Sequence, residues 1–326
     1  SASPPAGSVE LITPKTQQTI DRGLLFLAQR QQPDGSFGST GEQYRGNVAI
    51  ASQCAMAFMA GGSTPDRGPY GKQVSKIVDY LLANAQPSGL ICYKPGATRR
   101  GPMYGHAYAT LVLAECYGMS PRPEIREVLE RAVRLIVNAQ NEQGGWRYEP
   151  VPNDADISVS AAQINALRAA KNAGIYVPNE TIERAKKFVL QCQNPDGGFM
   201  YMLPSGESNF ARTAMGLSAL QSLGVYEGEP FDAGIRYLLR FRAGVKPNQL
   251  ESYFFYGHYY AIQVFYIRSG QHPDDWNEWY ASIRDQLIAL QQEDGSWMSP
   301  ISLDYATALS CIILQMPNGY LPIFQK

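Results

Sequence analysis

The feature that most constrains this chain is a repeated motif. A basic residue, a small residue, a pair of aromatic or aliphatic residues and then Gln-x3-Gly-x-aromatic stands at Arg22-Gly23, Phe26-Leu27, Gln31 and Gly35-Ser36-Phe37. It returns at Arg131-Ala132, Leu135-Ile136, Gln140 and Gly144-Gly145-Trp146, and again at Arg184-Ala185, Phe188-Val189, Gln193 and Gly197-Gly198-Phe199. Weaker copies stand at Tyr80-Leu81, Gln86, Gly89 and at Leu287, Gln291, Gly295-Ser296-Trp297, with a degenerate one near Tyr237-Leu238. The glycines at 35, 89, 144 and 197 are 54, 55 and 53 residues apart, and the one at 295 lies 98 further on, or two steps of 49. A period of this size marks a supersecondary unit that buries its apolar face only against its neighbours, and about six units fill the 326 residues.

Each unit reads as two helices. Before the Gln, Ile125, Val128, Leu129, Ala132, Leu135 and Ile136 recur at helical spacing on one stripe, the pattern of an outer helix with one buried face. After the Gly-x-aromatic turn, the stretches Val48 to Ala60, Ala107 to Cys116, Ser208 to Leu223 and Tyr305 to Met316 are apolar nearly all round, as helices buried on both sides must be. Glycines at 61, 118, 174, 224 and 270 stand where left-handed caps would close these inner helices. The expectation is an all-α fold, an (α/α)6 toroid over residues 13–326 with a flexible N-terminal segment over 1–12. The motif's Gln and aromatic read as staples between helices, not as chemistry.

Composition supplies the exclusions. With 44% hydrophobic residues, 11% aromatics and 20 tyrosines there is material for a large core and an aromatic-lined cavity. A net charge of -1 without a Lys/Arg run lacks the footprint of a nucleic-acid binder. No apolar run approaches the roughly 18 residues of a spanning helix, which leaves room for peripheral contact with a membrane. Five cysteines without CxxC spacing point to neither a disulfide framework nor a zinc ribbon, so no metal or cofactor is expected. The start at Ser1-Ala2-Ser3, without Met, fits an exported or periplasmic mature form.

In a ring of alternating outer and inner helices, all the inner N-termini converge on one rim, polarised positively by their dipoles. The candidate site residues gather there: Arg45 and Asn47, Tyr104 and His106, Asp154, Asp156 and Ser158, Asn209 and Arg212, Tyr253, Tyr256 and His258, Asp304 and Tyr305. Asn, Asp and Ser at helix starts are also ordinary N-caps. Two Tyr-Gly-His triplets, at 104–106 and 256–258, sit three repeats apart and therefore diametrically opposed, which favours a lumen role for both histidines. The cluster Tyr253-Phe254-Phe255-Tyr256 with Tyr259-Tyr260 holds more aromatics than one helix start can bury, so some must face the lumen.

The Gln-x3-Gly-x-Trp copies resemble the QW repeats of squalene cyclases, and the helix-pair period is similar to that of protein prenyltransferase β subunits. The likeness covers almost the whole chain, though squalene cyclases carry two such helical domains. It implies that Asp154-Ala155-Asp156-Ile157-Ser158-Val159 occupies the place of the Asp-x-Asp-Asp-Thr-Ala motif, whose central Asp protonates an alkene. Asp156 would then be the proton donor, with Asp154 close enough to raise its pKa by like-charge repulsion. The third acidic residue is Ile157. Where the resemblance implies a zinc-binding His near the chain's end, Asp304-Tyr305-Ala306 has Ala306, and where thioester toroids carry their reactive Cys this chain has Thr40.

Three functions follow as expectations. The first is a terpene cyclase-like enzyme that holds an isoprenoid or similar hydrophobic ligand in the lumen and acts by acid-catalysed cyclisation. The second is a non-catalytic scaffold that binds a ligand or a protein partner. The third is a carbohydrate-active (α/α)6 enzyme, which requires paired carboxylates across the rim.

Overall fold

The computed structural model describes residues 10–39, 42–94, 101–119, 122–241 and 253–325. Thr40 and most of the N-terminal segment lie outside the described residues. Leu11 and Ile12, by contrast, pack half-buried against the core, and Arg284 donates to the Leu11 carbonyl.

Among the described residues six helices form the outer layer: α1 (Pro14–Arg30), α3 (Gly71–Ala83), α5 (Pro123–Asn138), α7 (Asn179–Gln191), α9 (Glu229–Leu239) and α11 (Pro273–Leu290). Six form the inner layer: α2 (Val48–Ala60), α4 (Met103–Met119), α6 (Ile157–Asn172), α8 (Phe210–Ser222), α10 (Phe254–Arg268) and α12 (Leu303–Gln315). Each inner helix packs on the next, and α12 packs back on α2, so the ring closes. The inner helices run parallel: Asn165 of α6 donates to Ser218 of α8 at matching heights, and Gln221 of α8 donates to the Val264 carbonyl of α10.

Sequence pattern explains the layering. On α5 the buried residues are Ile125, Val128, Leu129, Ala132, Val133 and Ile136, one stripe turned inward. On α2 every residue but Ala49 is buried, because alanines let neighbouring helices approach from both sides. Polar side chains start several inner helices. Asn47, Asp156, Asn209 and Ser302 each accept a hydrogen bond from a first-turn backbone N–H, which would otherwise lack a partner.

The repeated motif joins one unit to the next. The Gln140 amide donates to the carbonyls of Gly144, in its own turn, and Thr181, at the start of the next outer helix. Gln31, Gln193 and Gln291 repeat the arrangement on Gly35 and Gln73, Gly197 and Pro230, and Gly295 and Thr19. The last pair links the final repeat to the first, and the Arg30–Asp304 ion pair adds a second link across the same seam. At the turn itself only glycine fits. Gly144 has φ +96°, and a Cβ there would lie 2.2 Å from the Arg184 carbonyl oxygen.

Two details depart from expectation. The left-handed cap after α2 is Gly62 (φ +89°) and not Gly61, Gly118 lies inside α4 and Gly270 is not left-handed, whereas Gly174 and Gly224 behave as the spacing implies. The chain also ends in two short 3-10 turns, Met316–Asn318 and Pro322–Phe324, of which the second touches both α6 and α10. Those helices are not ring neighbours, so this turn spans the end of the ring opposite the inner N-termini, with Ile323 and Phe324 buried. The Ile323 N–H donates to Glu115 Oε2 at 3.4 Å, and burial pushes the Glu115 carboxyl up to about 7. Among the described residues no helix is long and apolar enough to cross a membrane.

Replacing Gly144 by Ala should therefore destabilise the fold by about 2 kcal/mol or more, because a left-handed φ and a backbone clash coincide. Alanine at Gly174, where a Cβ meets nothing within 4 Å, should cost less. Thermal unfolding of the two variants checks the difference.

Candidate functional site

Trp146 fixes the geometry of the ring's mouth. Its indole N–H donates to the Ile136 carbonyl, its backbone N–H to Ser160 Oγ, and its carbonyl accepts from the Asp156 N–H. A buried, fully bonded Trp146 thus delivers Arg147 and Tyr148 to the rim beside the start of α6.

Asp156 is the N-cap of α6 and is fully buried. One carboxyl oxygen, Oδ1, accepts from the N–H groups of Ser158 and Val159, each at 2.9 Å. The other, Oδ2, is buried and has no hydrogen-bond partner; Arg147 Nε stands 3.8 Å from it. Burial pushes the Asp156 carboxyl up to about 6, against the pull of the two backbone donors, Arg147 and Tyr201. A carboxyl in this state holds its proton into the mildly acidic range and has one oxygen free to deliver it.

Tyrosines fill the space around it. Tyr104 of α4 and Tyr256 of α10 meet edge to face at 6.3 Å, although their helices stand on opposite sides of the ring. The hydroxyls of Tyr108 and Tyr260 share a hydrogen bond at 3.2 Å across the same gap, and Tyr256 and Tyr260 lie 3.5 Å apart. Tyr148 and Tyr201 hydrogen-bond to each other at the rim. The mouth is therefore walled by aromatic faces with one carboxyl among them, and a ligand that reaches Asp156 must part the tyrosine contacts.

Several expected site residues lie elsewhere. His106 does not face the lumen. Its Nδ1 accepts from the Ile91 N–H at 3.1 Å, which leaves the proton on Nε2 to reach the Ala132 carbonyl of outer helix α5 at 3.3 Å. Burial lowers its pKa to about 4. This is the place of Ser160, Thr213 and Thr307, whose hydroxyls accept the N–H of Trp146, Phe199 and Trp297 in the same way. His106 is thus a staple between the layers. His258 likewise points outward, packed against Phe210, Phe254 and Trp279, and burial takes its pKa to about 3.

Asp154 is exposed and bound to Arg147, and the largest cause that raises Asp156 is burial. Asp304 sits inside the first turn of α12, capped by Ser302, and is held by Arg30, which also reaches Glu42. Asn47 and Asn209 are caps. Arg45 and Tyr253 are exposed. Arg212 lies over the Tyr201 ring at 5.5 Å, outside the carboxyl's own contacts. Asp156, Ser158, Tyr104, Tyr256 and Tyr305 are the expected residues that share the interior, with Tyr104 close to both Ser158 and Asp156, and Tyr305 close to Tyr260.

Sequence reasoning missed Arg147, Tyr148, Tyr201 and Tyr108. The first three follow the motif's aromatic by one or two positions, a signal that alignment of the repeats contains. Tyr108 lies one helical turn below Tyr104 on the same face of α4.

The model of the prenyltransferase alpha-alpha toroid domain matches residues 11–147 and 125–244. The chain belongs to that family. Among curated proteins this toroid is 24% identical over 174 residues to drimenyl diphosphate synthase from Streptomyces showdoensis, covering 53% of the chain and 30% of that protein. It is 28% identical over 145 residues to protostadienol synthase A from Arthroderma gypseum, covering 40% of the chain and 19% of that protein. The chain thus spans under a third of the length of these relatives. Among solved structures, a type II terpene cyclase from Scytonema in complex with geranylgeranyl dihydroxybenzoate superposes with a TM-score of 0.60 at 14% identity, over 95% of this chain and 98% of that one. An inactive variant of an α-1,6-mannanase from Salegentibacter superposes with a TM-score of 0.66 at 13% identity, over 92% and 98%. At such identities the likeness is one of fold. The family relation and the curated relatives make the chain a terpene cyclase-like toroid.

A carboxyl that rises on folding binds its proton more tightly in the native state, so Asp156 favours folding below pH 4 and loses that advantage as pH climbs to about 6. Above pH 6 the full penalty for burying the charge, on the order of 1–3 kcal/mol, is present. Asn caps helices as well as Asp. Asp156→Asn should therefore unfold at a higher temperature than the parent at pH 8, and the gap should narrow towards pH 4 in scans across that range.

Proposed function

We propose that this toroid binds an isoprenoid or similar alkene-bearing lipid in its lumen and protonates it, with Asp156 as the general acid. The observation that carries the proposal is the unpartnered, buried Oδ2 of a raised carboxyl set among tyrosine faces. The proton leaves Oδ2 for one carbon of a double bond, whose π pair forms the new C–H bond. The other carbon is left as a cation. Ring faces of Tyr104 and Tyr256 offer that cation quadrupole attraction in place of water, and their apolar bodies suit a hydrocarbon chain. The relation to drimenyl diphosphate synthase and protostadienol synthase A supports the same ligand class.

The carbohydrate reading has less support at the mouth. Glycoside cleavage needs two carboxyls facing each other across the substrate. Here Asp154 and Asp156 share one arginine on one side, and Asp304 is tied to Arg30. The mannanase likeness concerns fold alone.

Removing a general acid costs roughly 10²–10⁴ in rate. Asp156→Asn should lower cyclisation of polyprenyl substrates by that factor while remaining folded. In the parent, turnover should fall about tenfold per pH unit above about 6, as the acid form is lost. Chromatography of extracted products across pH checks both; unchanged turnover in the variant removes Asp156 from the mechanism, and an empty lumen in native mass spectrometry with every prenyl ligand tried favours the scaffold reading.

A further inference from the structure

We propose that Asp154, Arg147 and Asp156 form a relay in which Asp154 anchors the Arg147 guanidinium at the rim, keeping it from closing on Asp156, which so remains a proton donor. The inference rests on the reading of Asp156 as the acid, and it gives Asp154 and Arg147 the part of positioning residues.

The geometry is specific. Arg147 Nε and Asp156 Oδ2 are complementary in charge, both buried, both without a hydrogen-bond partner, and 3.8 Å apart. A charge-assisted hydrogen bond between them would close at about 2.8 Å, so about one ångström separates the pair from contact. Left alone, two such groups would close, because leaving either one unpaired in the interior is costly. Two contacts hold the guanidinium back. Its Nη1 donates to Asp154 Oδ2, and its plane lies 5.1 Å from the Tyr148 ring, which is itself fixed through Tyr201.

Closure would matter for the acid. A guanidinium in direct contact holds a carboxyl in its ionised form, whereas at 3.8 Å its pull is outweighed by burial. The other groups near Asp156 are Tyr201 from the loop after α7, the Cys192 thiol at the end of α7, Tyr104 from α4, and the Ser158 and Val159 N–H groups of α6 itself. Arg147 is the cation among the causes that set the Asp156 carboxyl. Asp154 binds that cation at the rim, so its path to Asp156 in the relay runs through Arg147.

Carboxyl-carbon NMR of the intact protein, with the Asp156 signal assigned by its loss in Asp156→Asn, reads the relay without substrate. In the parent the signal should titrate near 6. Arg147→Gln should move the midpoint up by about one pH unit, and Asp154→Asn should move it down by about as much as the freed guanidinium closes. In the double variant the Asp154→Asn effect should vanish, leaving the midpoint of Arg147→Gln alone. Equal downward shifts with and without Arg147 would mean direct repulsion by Asp154 and would overturn the relay, as would an unmoved midpoint in Arg147→Gln. Should Arg147→Gln fail to fold, Arg147→Lys keeps the charge but not the fork, and an unchanged response to Asp154→Asn in that background overturns the relay equally. In turnover, Asp154→Asn should lose about tenfold at pH 7 and regain it on adding Arg147→Gln. A chain that turns over no polyprenyl substrate sinks the proposed function, while the titration still judges the relay.

Discussion

The structure depends on one hydrogen-bonded staple, the Gln side-chain amide that donates both to its own turn and to the next outer helix. Each such amide replaces two waters on two carbonyls and holds the turn at the glycine, where no Cβ would fit. Because the last copy, Gln291, reaches back to Thr19 of the first helix, the same contact that orders neighbours also closes the ring. An open array of these repeats would leave the apolar sides of α2 and α12 in water; closure buries both.

Ring closure is what makes a site. It brings Tyr104 and Tyr108 against Tyr256 and Tyr260, about 150 residues away in the chain, and it removes the mouth from bulk water. In that setting a single N-cap acquires unusual properties. Asn47 and Asn209 do the same capping work as Asp156 but carry no proton to give. In the proposed function the chemistry of the mouth thus rests on one carboxyl placed where two asparagines stand in sister repeats, beside the arginine that follows Trp146.

Equivalent positions misled where a residue's type suggested chemistry. His106 looks functional in the sequence because histidine is rare in this chain and recurs in matched triplets. Its equivalents Ser160, Thr213 and Thr307 reveal the position's duty, which in α4, α6, α8 and α12 is to accept one backbone N–H near the top of the inner helix. An imidazole performs that duty as well as a hydroxyl. The useful half of the Tyr-Gly-His triplet is the tyrosine, since on a helix two residues two positions apart point to different sides. Asp154 misled in the opposite way: adjacency in sequence suggested repulsion with Asp156, yet the chain turns between them and puts Arg147 beside both.

The sequence alone determined the repeat, the two classes of helix and the family, because period, amphipathic stripe and turn glycines are local and repeated, so each copy checks the others. It also placed polar caps at the inner helix starts, as Asn209 bears out, but that Asp156 and not Asp154 caps α6, and Ser302 and not Asp304 caps α12, only the structure decided. Tertiary structure decided which of the rim's polar groups are buried, which face inward and which are neutralised. Burial, not spacing, raised Asp156; Arg30, some 270 residues from Asp304, withdrew that carboxyl from the mouth; and the last turn of the chain met Glu115 at the ring's other end. Those outcomes are sums of distances between distant segments, and only the closed ring fixes such distances.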